Sequence, residues 1–342
     1  MVEDFHGNAA VATTLSAMAE RGRIPQTILL DGPDHVGKAT LARRFGGTLL
    51  DHAELIERDD LSVPENAAYI AEREKWPSDK RNEDPLLFGA HPDFLTFAPD
   101  GPLRQITIEQ MRLLKERARF QPLRGSKRVF LIDRIDRANE QAANSLLKTL
   151  EEPPEYLILI LTAVNPYDLL PTIRSRAVSF HLAPLSNAEM RDFMRARGLA
   201  QVDKRVALAA GSPGLAVSID LDEYDQRRST VLKLIEAASG QSPFGEWAKV
   251  AEAVASRKQD KLDDLLEILY VLIEDLLLLS NGAGEIRNAD IRTGLEALAG
   301  RLSFAWLRAA LRKADELSEF TRRNIQKSIA LDALVMELRA AA

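Results

Sequence analysis

Residues 129–154 read VFLIDRIDRANEQAANSLLKTLEEPP, and this stretch decides the fold. It begins with a short apolar run that ends at Asp133, the pattern of a buried strand with an acid at its carboxyl end. A carboxylate in that position can reach a magnesium ion that accompanies a bound nucleotide. The next segment predicts a helix, ended by two prolines, because its apolar residues recur on one helix face: Ala143, Leu146, Leu147 and Leu150.

The composition bounds the classes of protein to which the chain can belong. Its 342 residues suggest two or three domains, and 46% hydrophobic with 28% charged residues is typical of a globular protein with a core. The net charge is -6, so nucleic acid could be contacted only through a local basic patch. The absence of cysteine excludes disulfides and thiolate zinc sites.

Two segments bear on the location of the protein in the cell. The N-terminal residues MVEDFHGNAA lack the basic and apolar regions of a secretory signal, so we expect a cytoplasmic protein. The most apolar stretch, residues 262–279, carries five carboxylates, which would be costly in hydrocarbon. We therefore expect a buried helix of a helical bundle there and no membrane contact.

A glycine-rich loop follows the first predicted strand. Residues 27–31 (TILLD) are apolar enough for a buried strand, and residues 32–38 (GPDHVGK) then lead into a predicted helix. In this order the backbone N–H groups of the loop and the helix N-terminus can cradle phosphates, and the lysine adds a positive charge. The candidate nucleotide-binding residues are therefore Gly32, Gly37, Lys38 and, from the strand described above, Asp133.

The residues that would make this loop productive have changed. A hydroxyl that ligates magnesium normally follows the lysine, but Ala39 stands there, and Thr40 lies about 100° further round the helix. Arg134 stands where an ATPase usually carries a glutamate that orients water, and a guanidinium cannot act as that base. Two interpretations stay open: a loop that keeps its shape without nucleotide, or a degenerate site, including Thr40, that binds ATP weakly.

Residues 51–95 are polar, and prolines interrupt them. They contain no repeat, so they predict an insertion or an irregular, elaborated loop on the α/β core. Two histidines in this segment, His52 and His91, lack the spacing of a metal site. We expect them to be surface or packed residues, and we expect no metal.

The most basic stretch of the chain runs from residue 112 to residue 128. A capping box of Thr107 and Gln110 predicts that a helix begins just before it. The polar face of this helix and the following turn carry seven basic residues against one acid. Two interpretations stay open, a solvated face or contact with a phosphate backbone. The candidates for DNA contact are Arg124, Lys127 and Arg128.

A further buried strand is predicted at residues 156–162, and TIRSRA follows it at residues 172–177. Strands that alternate with helices predict a parallel sheet with its ligand site at the carboxyl ends of the strands. The G-x-x-x-x-G-K loop, LLKTLEEPP and TIRSRA together resemble the clamp-loader branch of the AAA+ ATPases. The resemblance covers nearly the whole chain, and LEEPP is specific, whereas the loop alone is not.

The resemblance implies three domains. An α/β P-loop domain with a parallel sheet would span residues 1–183, with residues 51–95 in place of the zinc module that many relatives carry, and hence no zinc. A small helical lid domain would span residues 184–219, and an all-helical collar domain residues 220–342. In active relatives the lid offers an arginine to the nucleotide, and the matching stretch GSPGLAVS has none.

The resemblance also implies a role for Arg176, the arginine of the Ser-Arg motif within TIRSRA. It would act in trans as an arginine finger on the ATP of a neighbouring motor subunit, where a guanidinium stabilises the transferring phosphoryl group. The implied partners are gamma/tau motor subunits and a delta subunit in a hetero-pentamer, together with the sliding clamp. Primed DNA would be contacted through the complex.

We therefore expect a subunit of a polymerase holoenzyme that hydrolyses ATP weakly or not at all and serves as the rigid end of a clamp-loader ring. Two alternatives stay open. A gamma/tau-like motor subunit would hydrolyse ATP by itself, and Arg134 argues against it. An AAA-derived adaptor outside replication would not co-purify with clamp-loader partners.

Overall fold

The computed structural model describes residue 2 and residues 5–256, 262–282, 284–321 and 326–340. The chain divides into two compact units. The first comprises residues 1–197 and 211–215, and the second comprises residues 198–210 and 216–342. The three domains with boundaries near residues 183 and 219 stay a prediction.

The first unit is built on a six-stranded sheet with the order β2-β3-β4-β5-β1-β6. Its strands are β1 (Thr27–Asp31), β2 (Phe88–His91), β3 (Phe94–Phe97), β4 (Arg128–Ile132), β5 (Leu157–Ala163) and β6 (Val178–His181). Of these strands, β2 pairs antiparallel with β3, and the other pairs are parallel. The predicted α/β fold with a mostly parallel sheet is confirmed.

Helices cover both faces of this sheet. They are α1 (Ala9–Glu20), α2 (Lys38–Leu50), α3 (Ala53–Glu57), α4 (Pro64–Arg73), α5 (Ser78–Glu83), α6 (Ile108–Ala118), α7 (Glu140–Glu151), α8 (Pro171–Arg174) and α9 (Asn187–Ala196). Strand β1 shows the two-residue alternation: Leu29 packs with the core under α6 and α7, whereas Ile28 and Leu30 pack with the core under α1 and α2. The predicted capping box at the start of α6 is confirmed.

Residues 51–95 are not an irregular loop, so that expectation is wrong. They form α3, α4, α5 and β2, and their helices are five to ten residues long. Helices this short carry too few turns for a 3.6-residue pattern to stand out from the sequence. Polar contacts hold them instead: the Arg73 side chain is 0% exposed and donates to the Asp100 carboxylate at 2.6 Å.

A buried carboxyl in this segment makes the stability of the first unit depend on pH. Burial raises the pKa of Asp59 from 3.8 to about 6, although the Ala90 N–H donates to it at 2.9 Å. An acid with a raised folded-state pKa binds more protons when folded, so stability falls as pH rises from about 4 to about 6. Relative to wild type, Asp59→Asn should therefore gain about 2 kcal/mol of unfolding free energy between about pH 4.5 and about pH 7.5.

Urea unfolding of both proteins at the two pH values measures this gain. An equal stability difference at both values would remove Asp59 as the cause. The Asp59 Oδ2 atom has no hydrogen-bond partner among the described residues, so the amide of the variant breaks no bond on that side.

The described secondary structure of the second unit is helical. It comprises α10 (Val202–Ala209), α12 (Leu221–Ala238), α13 (Phe244–Ser256), α14 (Leu262–Ser280), α15 (Arg292–Ala299), α16 (Phe304–Thr321) and α17 (Lys327–Ala340), while α11 (Pro213–Ser218) is divided between the units. Helix α14 contributes the centre of the core, as predicted, and α17 buries the four predicted residues Leu331, Leu334, Val335 and Leu338. Among the described helices, none combines the length and apolarity needed to span a bilayer.

Candidate functional site

The glycine loop between β1 and α2 keeps the shape of a phosphate-binding loop. Gly32 and Gly37 have φ angles of 140° and 97°, in a region that residues with a side chain rarely adopt. A Cβ atom on Gly32 would lie 2.1 Å from the carbonyl oxygen of Leu182. Both glycines are therefore required by the backbone, as the loop motif predicted.

Lys38 turns back onto its own loop. Its ammonium donates to the carbonyl oxygens of Gly32 at 2.7 Å and Pro33 at 2.6 Å. The side chain is buried, and this burial lowers the pKa of Lys38. The charge that would meet a phosphate thus has backbone partners inside the loop.

Asp133 and Arg134 follow β4 and face this loop. The Thr162 hydroxyl donates to Asp133 Oδ1 at 2.6 Å, and burial raises the pKa of Asp133. The Arg134 guanidinium donates to Asp34 Oδ1 at 2.7 Å and to Asp136 Oδ2 at 3.0 Å. Arg134 therefore joins the glycine loop to the end of β4, in the part of the site where an ATPase needs a carboxylate.

The GSPG segment, residues 211–214, closes on the same loop. Ser212 Oγ donates to the Asp34 carbonyl at 3.1 Å, and the Gly214 N–H donates to the His35 carbonyl at 2.9 Å. A Cβ atom on Gly214 would lie 3.0 Å from that His35 oxygen, so a side chain there would push the segments apart. These contacts were not predicted, although the cluster of glycines was a visible signal of close backbone approach.

The structure brings Gly32, Gly37, Lys38 and Asp133 together, as the sequence predicted. Thr40 lies half-buried on α2, and no recorded hydrogen bond of the described residues joins it to Asp133. Thr162 was missed, and its signal is a hydroxyl residue within the otherwise apolar strand LILILTA. Whether this degenerate site binds nucleotide stays a prediction.

Arg176 lies just beyond α8 and keeps part of its side chain in solvent. Its guanidinium donates to the Thr172 carbonyl at 2.9 Å and to Glu151 Oε1, also at 2.9 Å. The side chain is 34% exposed, so a group from outside the chain can reach it. Glu151, the last residue of α7, was not predicted as part of a site.

Arg128 is a structural residue, so its predicted contact with DNA is wrong. The residue is 4% exposed. Its guanidinium donates to three backbone carbonyls, those of Arg117, Phe120 and Pro92, and lies 3.4 Å from the Asp93 carboxylate. A guanidinium spent in this way joins β4 to neighbouring loops and cannot reach a phosphate.

The other two candidates of the basic stretch are more accessible. Arg124 is exposed, and its backbone N–H, not its side chain, bonds to Asp93 at 2.6 Å. Lys127 is half-buried and donates to the Glu155 carbonyl at 3.2 Å. The alternation of burial from Arg124 to Arg128 comes from the sheet, which the charge pattern alone does not show.

No group of three or more histidine, cysteine, aspartate or glutamate residues in the described part of the chain could hold a metal ion. The rings of His52 and His91 are 4.9 Å apart, and His91 Nδ1 accepts the Asp93 N–H at 3.1 Å. The ring contact and this hydrogen bond give both histidines a packing role.

Two family models match the chain. The model described as DNA polymerase III, delta subunit, matches residues 77–186, and the model of its C-terminal part matches residues 222–338. DNA polymerase III subunit delta' of Escherichia coli (strain K12) is 30% identical over 226 residues, which are 65% of this chain and 66% of the relative. DNA polymerase III subunit gamma/tau of Mycobacterium bovis is 29% identical over 54% of this chain and 29% of its own length.

A gamma subunit-related protein from Thermotoga maritima is a similar solved structure, with 17% identity and a TM-score of 0.47 over 95% of this chain and 98% of that chain. The strand order and the glycine loop of the present chain define a P-loop protein of the AAA+ class. The chain belongs to the delta-prime subunits of DNA polymerase III. The match spans about two thirds of the length of the Escherichia coli relative.

Proposed function

We propose that this chain is the stator of a bacterial clamp loader. In this role it would form the rigid end of a hetero-pentameric ring with gamma/tau and delta subunits, and the ring would load a sliding clamp on primed DNA. The chain would supply Arg176 in trans to the ATP of a neighbouring motor subunit. Its own glycine loop would take no part in hydrolysis. The assignment to the delta-prime family supports the assembly, and the two ends of α7 support the division of roles.

One observation carries the proposal: the loop is occupied by its own chain while the finger is open. Lys38 is bonded to the carbonyls of its loop, and Arg134 bridges Asp34 and Asp136. Arg176, in contrast, is held at two points and keeps a third of its side chain exposed. A nucleotide would have to break the internal bonds of Lys38 and Arg134 before it gained bonds of its own.

The purified chain should therefore bind ATP weakly or not at all and show no ATPase activity alone. Titration with a fluorescent ATP analogue in the presence of magnesium measures the binding, and phosphate release measures hydrolysis. The isolated gamma/tau subunit is the control in both assays. Micromolar binding together with turnover by this chain alone would favour the motor alternative, whereas failure to assemble with gamma/tau and delta would favour the adaptor.

We also propose that Arg124 contributes to contact between the assembled ring and the phosphates of primed DNA, because its side chain is exposed in the most basic stretch. Arg124→Glu should weaken DNA binding by the complex and reduce the slope of log affinity against log salt by roughly one. Fluorescence anisotropy of primed DNA at several salt concentrations measures the slope.

Arg21→Glu is a matched control, since Arg21 is exposed at the end of α1 and outside the basic stretch. An unchanged slope for Arg124→Glu, or an equal change for Arg21→Glu, would assign the stretch to the solvated surface. Arg128 is unsuitable for this test because reversal of its buried charge would disrupt the fold.

A further inference from the structure

The motif LEEPP, residues 150–154, has no role in the function proposed above, yet its first acid touches the finger. Glu151 Oε1 accepts a hydrogen bond from Arg176 Nη2 at 2.9 Å. We propose that Glu151 is a positioning residue, whose carboxylate holds the Arg176 guanidinium in the orientation that reaches a neighbouring ATP. The inference rests on the proposed function, because it requires that Arg176 act as a finger.

Two acceptors hold the guanidinium while part of it stays open. The Thr172 carbonyl takes a hydrogen from Nη1, and Glu151 takes a hydrogen from Nη2, each at 2.9 Å. A guanidinium has further N–H donors, so these bonds leave others for a phosphate. An arginine side chain has many rotamers, and two fixed contacts reduce the freedom that would be lost when it engages the transition state.

The carboxylate itself stands on a rigid base. Glu151 ends α7, and the preceding Leu150 is buried in the core. After the helix, the carbonyls of Pro153 and Pro154 accept the Gln26 side-chain amide at 3.3 and 3.2 Å. LEEPP is thus anchored on both sides of Glu151, so the position of the carboxylate is set by the core and not by a mobile loop.

Stability alone gives a weak reason for this ion pair. Glu151 is 49% and Arg176 34% exposed, and exposed ion pairs contribute little to the free energy of unfolding. The next residue offers a matched comparison: Glu152 is also an exposed acid of the motif, but no recorded bond of its side chain joins it to Arg176. Glu151 and Glu152 therefore share charge and surroundings and differ in contact with the finger.

The experiment uses the complete complex, reconstituted with gamma/tau and delta and assayed for ATP turnover on primed DNA. Glu151→Ala should remove about half or more of the turnover that Arg176→Ala removes, through kcat and with KM for ATP unchanged. Glu151→Gln, which keeps an acceptor oxygen, should fall between Glu151→Ala and wild type. Glu152→Ala should match wild type, and the double variant Glu151→Ala/Arg176→Ala should match Arg176→Ala alone.

The outcomes separate the inference from the function on which it rests. Wild-type kcat for Glu151→Ala, in a complex that Arg176→Ala slows, would overturn the positioning role and leave the finger in place. Additive losses in the double variant would overturn it too. An unchanged kcat for Arg176→Ala would instead remove the finger itself. Gel filtration shows whether each complex assembles, and Glu151→Gln carries the test if the alanine variant fails to assemble.

Discussion

Replacement of Arg176 by alanine should slow the DNA-stimulated ATPase of the reconstituted complex, by about 10³-fold or more at the ATP site that this residue faces. The reason is electrostatic: a guanidinium that reaches the transferring phosphoryl group stabilises charge that is larger in the transition state than in the ground state. Single-turnover hydrolysis on primed DNA, with assembly checked by gel filtration, measures the loss. The other sites of the ring would keep their own rates and appear as a separate fast phase.

Arg174 is the matched control for this substitution. It belongs to the same TIRSRA motif, but its guanidinium lies over the Tyr167 ring, 4.8 Å from the ring centroid. Arg174→Ala should leave the fast and slow phases unchanged. Equal rates for Arg176→Ala and wild type would contradict the finger, and a loss confined to Arg174→Ala would move that role to the neighbouring residue.

Replacement of Arg73 by alanine should lower the free energy of unfolding by about 3–5 kcal/mol. Its guanidinium is fully buried and donates to both Asp100 oxygens, at 3.1 and 2.6 Å, and to the Asp84 carbonyl at 2.6 Å. Although burial lowers the pKa of Arg73, the bonds to Asp100 outweigh it and raise the pKa, so the group is charged when folded. The alanine variant would leave the buried Asp100 carboxylate without its cation.

Urea unfolding of the full chain measures this effect. The control is Arg104→Ala, because Arg104 pairs with Glu74 at 2.5 Å but is 46% exposed, so its loss should cost less than about 1 kcal/mol. The double variant Arg73→Met/Asp100→Leu, which removes both charges, should be more stable than Arg73→Ala. Equal destabilisation by Arg73→Ala and Arg104→Ala would mean that burial of the first pair has no consequence for stability.

The local features of the α/β unit could be predicted because they depend on residues near one another in the chain. The run TILLD forms β1, and Thr107 and Gln110 form both bonds of the capping box. The glycines of the loop follow from backbone angles that other residues rarely adopt. Such features are set by short-range sterics and hydrogen bonds, so a few residues suffice to specify them.

The basic stretch shows where such reasoning stops. Arg124 and Arg128 are four residues apart and identical in chemistry, yet Arg124 is exposed and Arg128 is buried among backbone carbonyls. Burial depends on which loops pack over the start of β4, and those loops come from distant parts of the chain. Charge counting therefore placed Arg128 in the wrong class.

The sequence by itself determined the elements and the motifs: the strand that ends at Asp133, the glycine loop, the changes at Ala39 and Arg134, and the finger candidate Arg176. Only the tertiary structure decided what these residues contact. It showed that Lys38 and Arg134 are bonded within the chain and that Glu151 holds Arg176. The physical reason is that a side chain chooses its partner by proximity in space, and the strand order of the sheet sets that proximity.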